Sequence, residues 1–206
     1  MLGGLPVAFG LAWVLARGRF WGRMLLDVLV YLPLVMPPVV TGWALLLAFG
    51  PAGPLGHALA RVGLGIAFRW TGAAVAAGVM ALPLMVRAIR LALDAVDPRL
   101  EEAARTLGAG RGRVFLAVTL PLAWPGVIAA AVLGFAKALG EFGATITFVA
   151  SVPGETRTLP LAIWAALQAP DGEAQVLRLA GLSVAVSVAA LLGAELLARR
   201  ARAHAL

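Results

Sequence analysis

Long apolar runs separated by shorter polar segments dominate the sequence. The runs cover residues 2–16, 24–50, 70–90, 122–150 and 176–198. All but the first reach the ~20 residues that an α-helix needs to cross the hydrocarbon core of a bilayer. None shows the strict alternation that is typical of strands in a transmembrane barrel. The pattern therefore predicts an all-α, polytopic membrane helix bundle, a single domain over residues 1–206 with about five spans.

The first run is the shortest and ends before Arg17. A cleaved signal peptide carries its basic residues ahead of the apolar region and a small-residue cleavage site after it. Here the basic residues follow the run, and no such site precedes Arg17. We expect a first span whose outer end is either missing or frayed, and the first of these alternatives would place the true start upstream of Met1.

Prolines and turn residues divide the remaining runs. The second run contains Pro33, Pro37 and Pro38, which predict a span kinked or broken near its middle because proline removes a helical hydrogen bond. Turn residues predict an external loop with an interfacial piece over residues 51–69 and a second loop over residues 151–175.

The apolar stretch from Val114 to Val152 is too long for one span. Pro121 and Pro125 interrupt it. We therefore place the fourth span at 122–150, after the first of these prolines.

Composition supports a membrane class and excludes several others. Hydrophobic residues make up 62% of the chain and charged residues 13%, against ~25% charged residues in ordinary soluble domains. Cysteine is absent and the two histidines, His57 and His204, are far apart. The sequence therefore predicts no disulfide, no thiol chemistry and no metal site.

The basic residues give the bundle a direction. With five spans, most of the 17 Lys and Arg residues fall on one side, in the first loop, the central loop and the C-terminal tail. Positive charge marks cytoplasmic loops. We therefore expect the N-terminus outside and the C-terminus in the cytoplasm of a plasma (inner) membrane protein. The net charge of +7 reflects this orientation, and no basic block indicates nucleic acid.

The central polar segment predicts a short, well-capped helix over residues 98–108. Asp97 can cap it, Pro98 suits its first position and Gly108 its end. Leu100, Ala103, Ala104 and Leu107 fall on one stripe of this helix. Two interpretations stay open from the residues alone, a docking helix that another protein approaches closely and a plain interfacial linker.

This segment resembles the cytoplasmic motif E-A-A-x3-G-x9-I-x-L-P in permease subunits of type I ABC importers. The motif residues here are Glu102, Ala103, Ala104, Gly108, Val118, Leu120 and Pro121, with Val118 in place of Ile. The resemblance implies a MetI-like permease fold in which this coupling helix docks on an ATPase subunit. It also implies that Glu102 anchors the helix or contacts the ATPase, that the two alanines permit close packing, and that Gly108 makes the turn.

Four further segments look like those of molybdate permeases, namely residues 32–40, 82–90, 139–145 and 153–158. The resemblance implies import of molybdate, or of the nearly isosteric tungstate, with sulfate/thiosulfate permeases as the related alternative. It implies a homodimer in the lipid membrane, a cytoplasmic ABC ATPase that binds ATP and Mg, and a periplasmic oxyanion-binding protein. This chain has no G-x-x-x-x-G-K-[ST] loop, so we expect a permease that is not an enzyme and binds no cofactor itself.

Lys137 and Glu141 lie within the fourth run at a spacing that places both on one face of a helix. Charges inside a bilayer usually face protein or water. The pair therefore either borders the anion path or fixes helix packing. Thr145 and Thr147 are further candidates for the path, although hydroxyls in spans often bond the preceding turn instead.

A different class, an ion-coupled secondary transporter, needs membrane charges for its coupling ion and often has an internal repeat. Lys137 and Glu141 are the only candidate pair, and the sequence shows no repeat. No constellation of catalytic residues supports an intramembrane enzyme.

Overall fold

The computed structural model describes residues 3–203, with the side chains of all these residues except 194, 195 and 197–203. Within this range every regular element is helical. The helices are α1 Gly4–Arg17, α2 Arg23–Val35, α3 Pro38–Phe49, α4 Pro54–Ala60, α5 Trp70–Asp94, α6 Pro98–Thr106, α7 Arg111–Val114, α8 Leu120–Leu139, α9 Gly143–Val149, α10 Leu159–Leu167 and α11 Glu173–Ala203, and a π-helical turn, Phe115–Thr119, joins α7 to α8. Leu2, which begins the first predicted span, lies outside the described residues, as do the side chains of the tail arginines 199, 200 and 202.

The chain divides into two compact units. Unit 1 consists of the described residues up to Val28, of Leu82–Gly134 and of the described residues from Ala190 onward. Unit 2 consists of Leu29–Ala81 and Phe135–Ala189. Each unit is built from segments that are distant in sequence.

Three helical stretches are long and apolar enough to cross a membrane, in the part of the chain that the structure describes. They are Trp70–Asp94, Arg111–Leu139 and Glu173–Gly193. The pair α2 and α3 makes a fourth if it is counted as one broken span, and α1 is apolar but only 14 residues long. These findings confirm the all-α membrane class. That α1 crosses the membrane as a fifth span stays a prediction.

The predicted break in the second run is confirmed. Helix α2 ends at Val35, α3 begins at Pro38, and the two helices are bent by 119°. Pro37 has an extended backbone, with ψ of 133°, because the residue before a proline disfavours the helical conformation. Pro38 then serves as the first residue of the new helix, where its missing N–H is not needed.

The prediction of one span over residues 122–150 is wrong at both ends. The helical stretch begins at Arg111. The π-helical turn lies just before the first proline, Pro121, and is closed by a hydrogen bond from the Leu120 N–H to the Phe115 carbonyl. The helical stretch ends at Leu139, and α9 forms a separate helix after a break. The wider π turn accommodates Pro121, whose ring would clash with the preceding turn of a regular α-helix.

The two predicted loops contain helices. Helix α4 lies within residues 51–69, where an interfacial piece was predicted. Helix α10 lies within residues 151–175, which were predicted to be a loop. Thr158 and Gln168 cap α10, and Pro160 is its second residue. The other turn residues of this segment therefore flank a short apolar helix.

Unit 2 has its core between α5 and α9, and α3 packs against it. The buried side chains of Ala76, Met80, Ala144, Phe148 and Val149 form this core. Gly42 lets α3 cross α9 at close range, because a Cβ atom there would lie 2.5 Å from the Ala144 carbonyl oxygen and 2.9 Å from the Thr147 Cβ. The two backbones are therefore too close for any side chain on that face of α3.

We expect Gly42→Ala to destabilise the protein by about 1–3 kcal/mol, because the added methyl group meets backbone that can move only by opening the crossing. The control is Gly78→Ala in α5, where nothing lies within 4 Å of the new Cβ. The control should be neutral or stabilising by about 0.5–1 kcal/mol, since alanine favours helix interiors. Thermal unfolding of the detergent-solubilised chain measures both. A Gly42→Ala protein as stable as the wild type would contradict the proposed packing.

Candidate functional site

The predicted central helix is present as α6, and its ends have the expected chemistry. The Asp97 carboxylate accepts a hydrogen bond of 2.9 Å from the Arg99 N–H, and Pro98 takes the first position. At the other end Gly108 has a φ of 85°, a left-handed conformation that favours glycine. The Ala109 N–H then donates to the Ala104 carbonyl at 3.0 Å, which completes a Schellman motif.

One buried carboxylate fastens α6 to the rest of unit 1. The Oε1 atom of Glu101 accepts hydrogen bonds of 2.8 Å from Nη2 of Arg17, at the end of α1, and of 2.8 Å from the hydroxyl of Thr119, in the π-helical turn. Its Oε2 atom lies 3.6 Å from Nη2 of Arg105. The Glu101 side chain is only 10% exposed, so these partners compensate most of the cost of removing its charge from water.

The residue that anchors α6 within this chain is therefore Glu101. Of the two roles predicted for Glu102, anchoring the helix or contacting the ATPase, its neighbour takes the first, and the second stays a prediction. Glu102 is exposed and has no hydrogen bond or ion pair within the part of the chain that the structure describes. Adjacent helical residues point about 100° apart, so only one of two neighbouring glutamates can face the core. Sequence alone did not single out Glu101, Arg17 or Thr119.

The other motif residues lie on an exposed surface. Ala103, Gly108 and Pro121 are exposed, and Ala104 and Leu120 are half-buried. Leu107 is 88% exposed. A shallow groove of about 320 Å³ lies beside α6, lined by Leu100, Ala117, Val118, Pro121 and Leu122. Val118 and Pro121 of the second half of the motif thus share an apolar groove with Leu100, which lies just before the first half on α6.

A second ion-pair cluster in unit 1 was also missed. Nη1 of Arg90 lies 2.7 Å from Oδ1 of Asp27, and its Nε lies 3.8 Å from Oδ2 of Asp94. The signal available in the sequence was the isolated Asp27 within an apolar run, because a charge in such a run usually has a partner.

Lys137 and Glu141 form the predicted pair, with 2.8 Å between Nζ and Oε2. The predicted shared helix face is wrong, because α8 ends at Leu139 and Glu141 lies in the break that follows. Its second oxygen, Oε1, accepts a hydrogen bond of 2.9 Å from the Ala144 N–H in the first turn of α9. Glu141 is buried, and both of its oxygens are engaged.

The threonine candidates lie on α9. Thr145 is buried, and the Thr147 hydroxyl donates to the Gly143 carbonyl at 2.9 Å, one turn back. Sequence reasoning missed Thr41 of α3, whose buried hydroxyl has no hydrogen-bond partner among the described residues. Thr41 lies in the first turn of α3, directly after the break at Pro37 and Pro38. The start of α9 also reaches that break, since a Cβ at Gly143 would lie 2.7 Å from the Pro38 Cβ.

Over the described residues, no group of three or more His, Cys, Asp or Glu side chains is arranged to hold a metal ion. Glu101, Arg17 and Arg105 are engaged with one another, and Lys137 and Glu141 with each other.

Known proteins match the chain over nearly its whole length. Residues 4–203 match the family described as binding-protein-dependent transport system inner membrane component. The chain is 54% identical over 202 residues to the molybdenum transport system permease protein ModB of Escherichia coli (strain K12), covering 98% of this chain and 88% of that protein. It is 50% identical over 201 residues to ModB of Haemophilus influenzae, covering 97% and 88%.

A more distant relative and a solved structure extend the comparison. The sulfate transport system permease protein CysT of E. coli (strain K12) is 40% identical over 165 residues, 79% of this chain and 60% of that protein. The bacterial alginate ABC transporter, solved in complex with an alginate pentasaccharide-bound periplasmic protein, has a similar fold with a TM-score of 0.73. It is 20% identical and covers 97% of this chain and 73% of that one. The chain belongs to the family of binding-protein-dependent transport system inner membrane components, the permease subunits of ABC importers.

Proposed function

We propose that this chain is the permease subunit of an ABC importer that carries molybdate across the inner membrane. The observation that carries the proposal is the 54% identity to a molybdenum permease over 98% of the chain. The sulfate permease, at 40% identity over 79% of the chain, is the second candidate and is both less similar and matched over less of the sequence. Tungstate belongs to the same substrate class because it is nearly isosteric with molybdate.

In this proposal the exposed face of α6 is the contact for a cytoplasmic ABC ATPase. Glu102, Ala103 and Leu107 project from it, and the groove beside Leu100 adds apolar surface. Small and apolar side chains permit close approach of a partner, and a projecting carboxylate can pair with a basic residue of that partner. ATP and Mg belong to the ATPase, and this chain supplies the surface on which the ATPase acts.

The Glu101 contacts supply the mechanical connection. A force applied to α6 reaches α1 through Arg17 and the π-helical turn through Thr119. Because α8 follows that turn directly, a movement of α6 displaces a long apolar helix as well. Closure of the ATPase dimer can thereby drive the spans between inward-open and outward-open states.

We further propose that two copies form a homodimer around a central path. The arginine distribution supports a cytoplasmic C-terminus and an outer N-terminus. A periplasmic oxyanion-binding protein would then deliver the anion to the outer face. Most large apolar side chains of α2 are exposed within one copy, and this surface is available to lipid and to a second copy.

The anion path is proposed to run along the broken helices of unit 2. Irregular backbone at membrane depth is tolerated where it lines a cavity, and the breaks before Pro38 and Gly143 lie together. Among the candidates Lys137 stays partly accessible, with 29% of its side chain exposed. Glu141 shapes the break, while Thr145, Thr147 and Thr41 are candidates for hydroxyl contacts.

We expect Glu101→Gln to lower the free energy of unfolding by about 1–3 kcal/mol, because Arg17 and Thr119 lose a charged acceptor inside the protein. The matched control is the neighbouring Glu102→Gln, which removes an exposed carboxylate and should change stability by less than about 0.5 kcal/mol. Thermal unfolding of the full chain in detergent measures both. Equal effects of the two substitutions would contradict the assignment of Glu101 as the anchor.

We expect Glu102→Arg to weaken association with the ATPase roughly tenfold or more, because a reversed charge at a docking surface faces the basic partner of the original carboxylate. The control is Glu155→Arg, the same reversal at an exposed residue that is predicted to lie on the opposite side of the membrane. Co-purification with the ATPase subunit gives the association constant. Wild-type association of the Glu102→Arg protein would argue against docking on this face.

We expect proteoliposomes that contain the permease, its ATPase and its binding protein to take up labelled molybdate only when ATP is enclosed. Unlabelled molybdate and tungstate should inhibit this uptake at similar concentrations. Sulfate should inhibit it only at a concentration at least about tenfold higher, which corresponds to a difference of about 1.4 kcal/mol in binding free energy. Competition by sulfate at the same concentration as molybdate would favour the sulfate permease. Uptake without ATP would favour a secondary transporter.

A further inference from the structure

A half-open cavity of about 230 Å³ lies in unit 1 where α1, α6, α7 and the π-helical turn come together. It is lined by Trp13, Arg17, Glu101, Arg105, Arg111, Val114, Phe115 and Thr119. At about 30 Å³ for each water molecule in the liquid, the cavity has room for roughly eight waters. That is smaller than the 300–1,000 Å³ typical of pockets for whole drug-sized ligands, so it suits one compact chemical group.

The lining carries more positive than negative charge. Three arginines face one carboxylate, and both oxygens of Glu101 are already close to partners. Arg111 has no ion pair within the described part of the chain. Each guanidinium has five N–H donors in a planar fork that matches carboxylate and phosphate oxygens. The cavity therefore presents unfilled donors and an excess of positive charge to an anion.

Aromatic side chains lie beside the arginines of this cavity. Phe9, Trp13 and Arg17 follow one another at intervals of four residues along α1, so they share one stripe of the helix. The rings of Trp13 and Phe115 pack edge to face, with 4.9 Å between their centroids, and the rings of Trp13 and Phe9 are stacked, with 6.5 Å between their centroids. Phe9 lies about 12 Å from Arg17 along the helix axis. A ligand with an anionic group and a long apolar part fits both features.

We propose that this cavity binds the phosphate group of an anionic phospholipid, with an acyl chain lying along the Phe9–Trp13 stripe. The inference rests on the proposed function for one point, that the end of α1 at Arg17 lies at the membrane interface. Aromatic and basic side chains concentrate at that depth, and basic pockets between helices on the cytoplasmic side bind anionic headgroups. A soluble oxyanion shares the phosphate chemistry but makes no use of the aromatic side chains.

The lipid would act as a bridge between elements that the coupling helix has to move together. Its phosphate would contact arginines from α1, α6 and α7, and two of these helices, α1 and α6, also supply partners of Glu101. Headgroup binding therefore neutralises the excess charge next to the anchor. It also links the stability of the anchor to the content of anionic lipid in the membrane.

The test compares two arginines of the same short helix. Arg111 and Arg113 are both exposed residues of α7, and only Arg111 lines the cavity. The delipidated full chain in detergent is titrated with phosphatidylglycerol or with phosphatidylcholine, and retained lipid is counted by native mass spectrometry. We expect preferential retention of phosphatidylglycerol, about tenfold weaker for Arg111→Gln, as expected for the loss of one charge-assisted contact. Arg113→Gln should stay within about twofold of the wild type.

The remaining outcomes decide between the sources of the anion. Equal losses in the two variants would show diffuse attraction and overturn the site, as would full retention by Arg111→Gln. Binding of sodium phosphate or sodium molybdate without retained lipid would overturn the lipid assignment. The measurement needs no ATPase and no transport, so failed lipid binding with intact molybdate uptake overturns this inference alone. Lipid binding with no ATP-driven uptake overturns only the proposed function.

Discussion

The position of α6, the helix that we propose docks on the ATPase, depends on one buried carboxylate. Glu101 carries a charge into the interior of unit 1, where an unpaired charge is very unfavourable. Its partners come from α1, from the π-helical turn and from α6 itself. Once Glu101 faces inward, the 100° rotation between helical residues places Glu102, Ala103 and Leu107 outward. The internal anchor and the exposed face that we propose for docking are therefore two results of one constraint.

Unit 2 depends on a different constraint, the satisfaction of backbone groups where helices are broken. Lipid offers no hydrogen bonds, so a break at membrane depth must satisfy its own donors and acceptors. Glu141 does this for the start of α9 by accepting the Ala144 N–H, while Lys137 balances its charge. Gly42 lets α3 and α9 approach closely enough for the core to form around them. The polar pair and the glycine thus support an irregular backbone in an apolar setting.

Much of this arrangement could be predicted from the sequence. The apolar runs indicated the helices, the prolines before α3 indicated the bend, and Asp97 and Gly108 indicated both ends of α6. These features depend on neighbouring residues and so leave local signals. The motif spacing indicated the surface that we propose for docking, through its resemblance to the permease motif.

The features that were missed depend on tertiary structure. Two adjacent glutamates look alike in a sequence, and only the positions of Arg17 and Thr119 decide which one is buried. The sequence placed Leu100 and Leu107 on one stripe of α6. It did not indicate that both side chains would be exposed. Helix α10 was not predicted, because the turn residues on both sides of it made the whole segment resemble a loop. The end of α8 was missed because Lys137 and Glu141 have a helical spacing although the helix stops between them.

The π-helical turn sets the phase of the long helix that contains it. Buried positions in this stretch fall at Val114, Thr119, Ala123, Val127 and Ala130, and the first interval is five residues while the others are three or four. In an uninterrupted α-helix, Val118 would take the azimuth that Thr119 now holds, and the carboxylate of Glu101 would meet a methyl group in place of a hydroxyl. The additional residue in this turn therefore rotates the direction of all later side chains about the helix axis, relative to those before the turn. A helical wheel drawn through this stretch at a constant 100° misassigns every residue on one side of the turn.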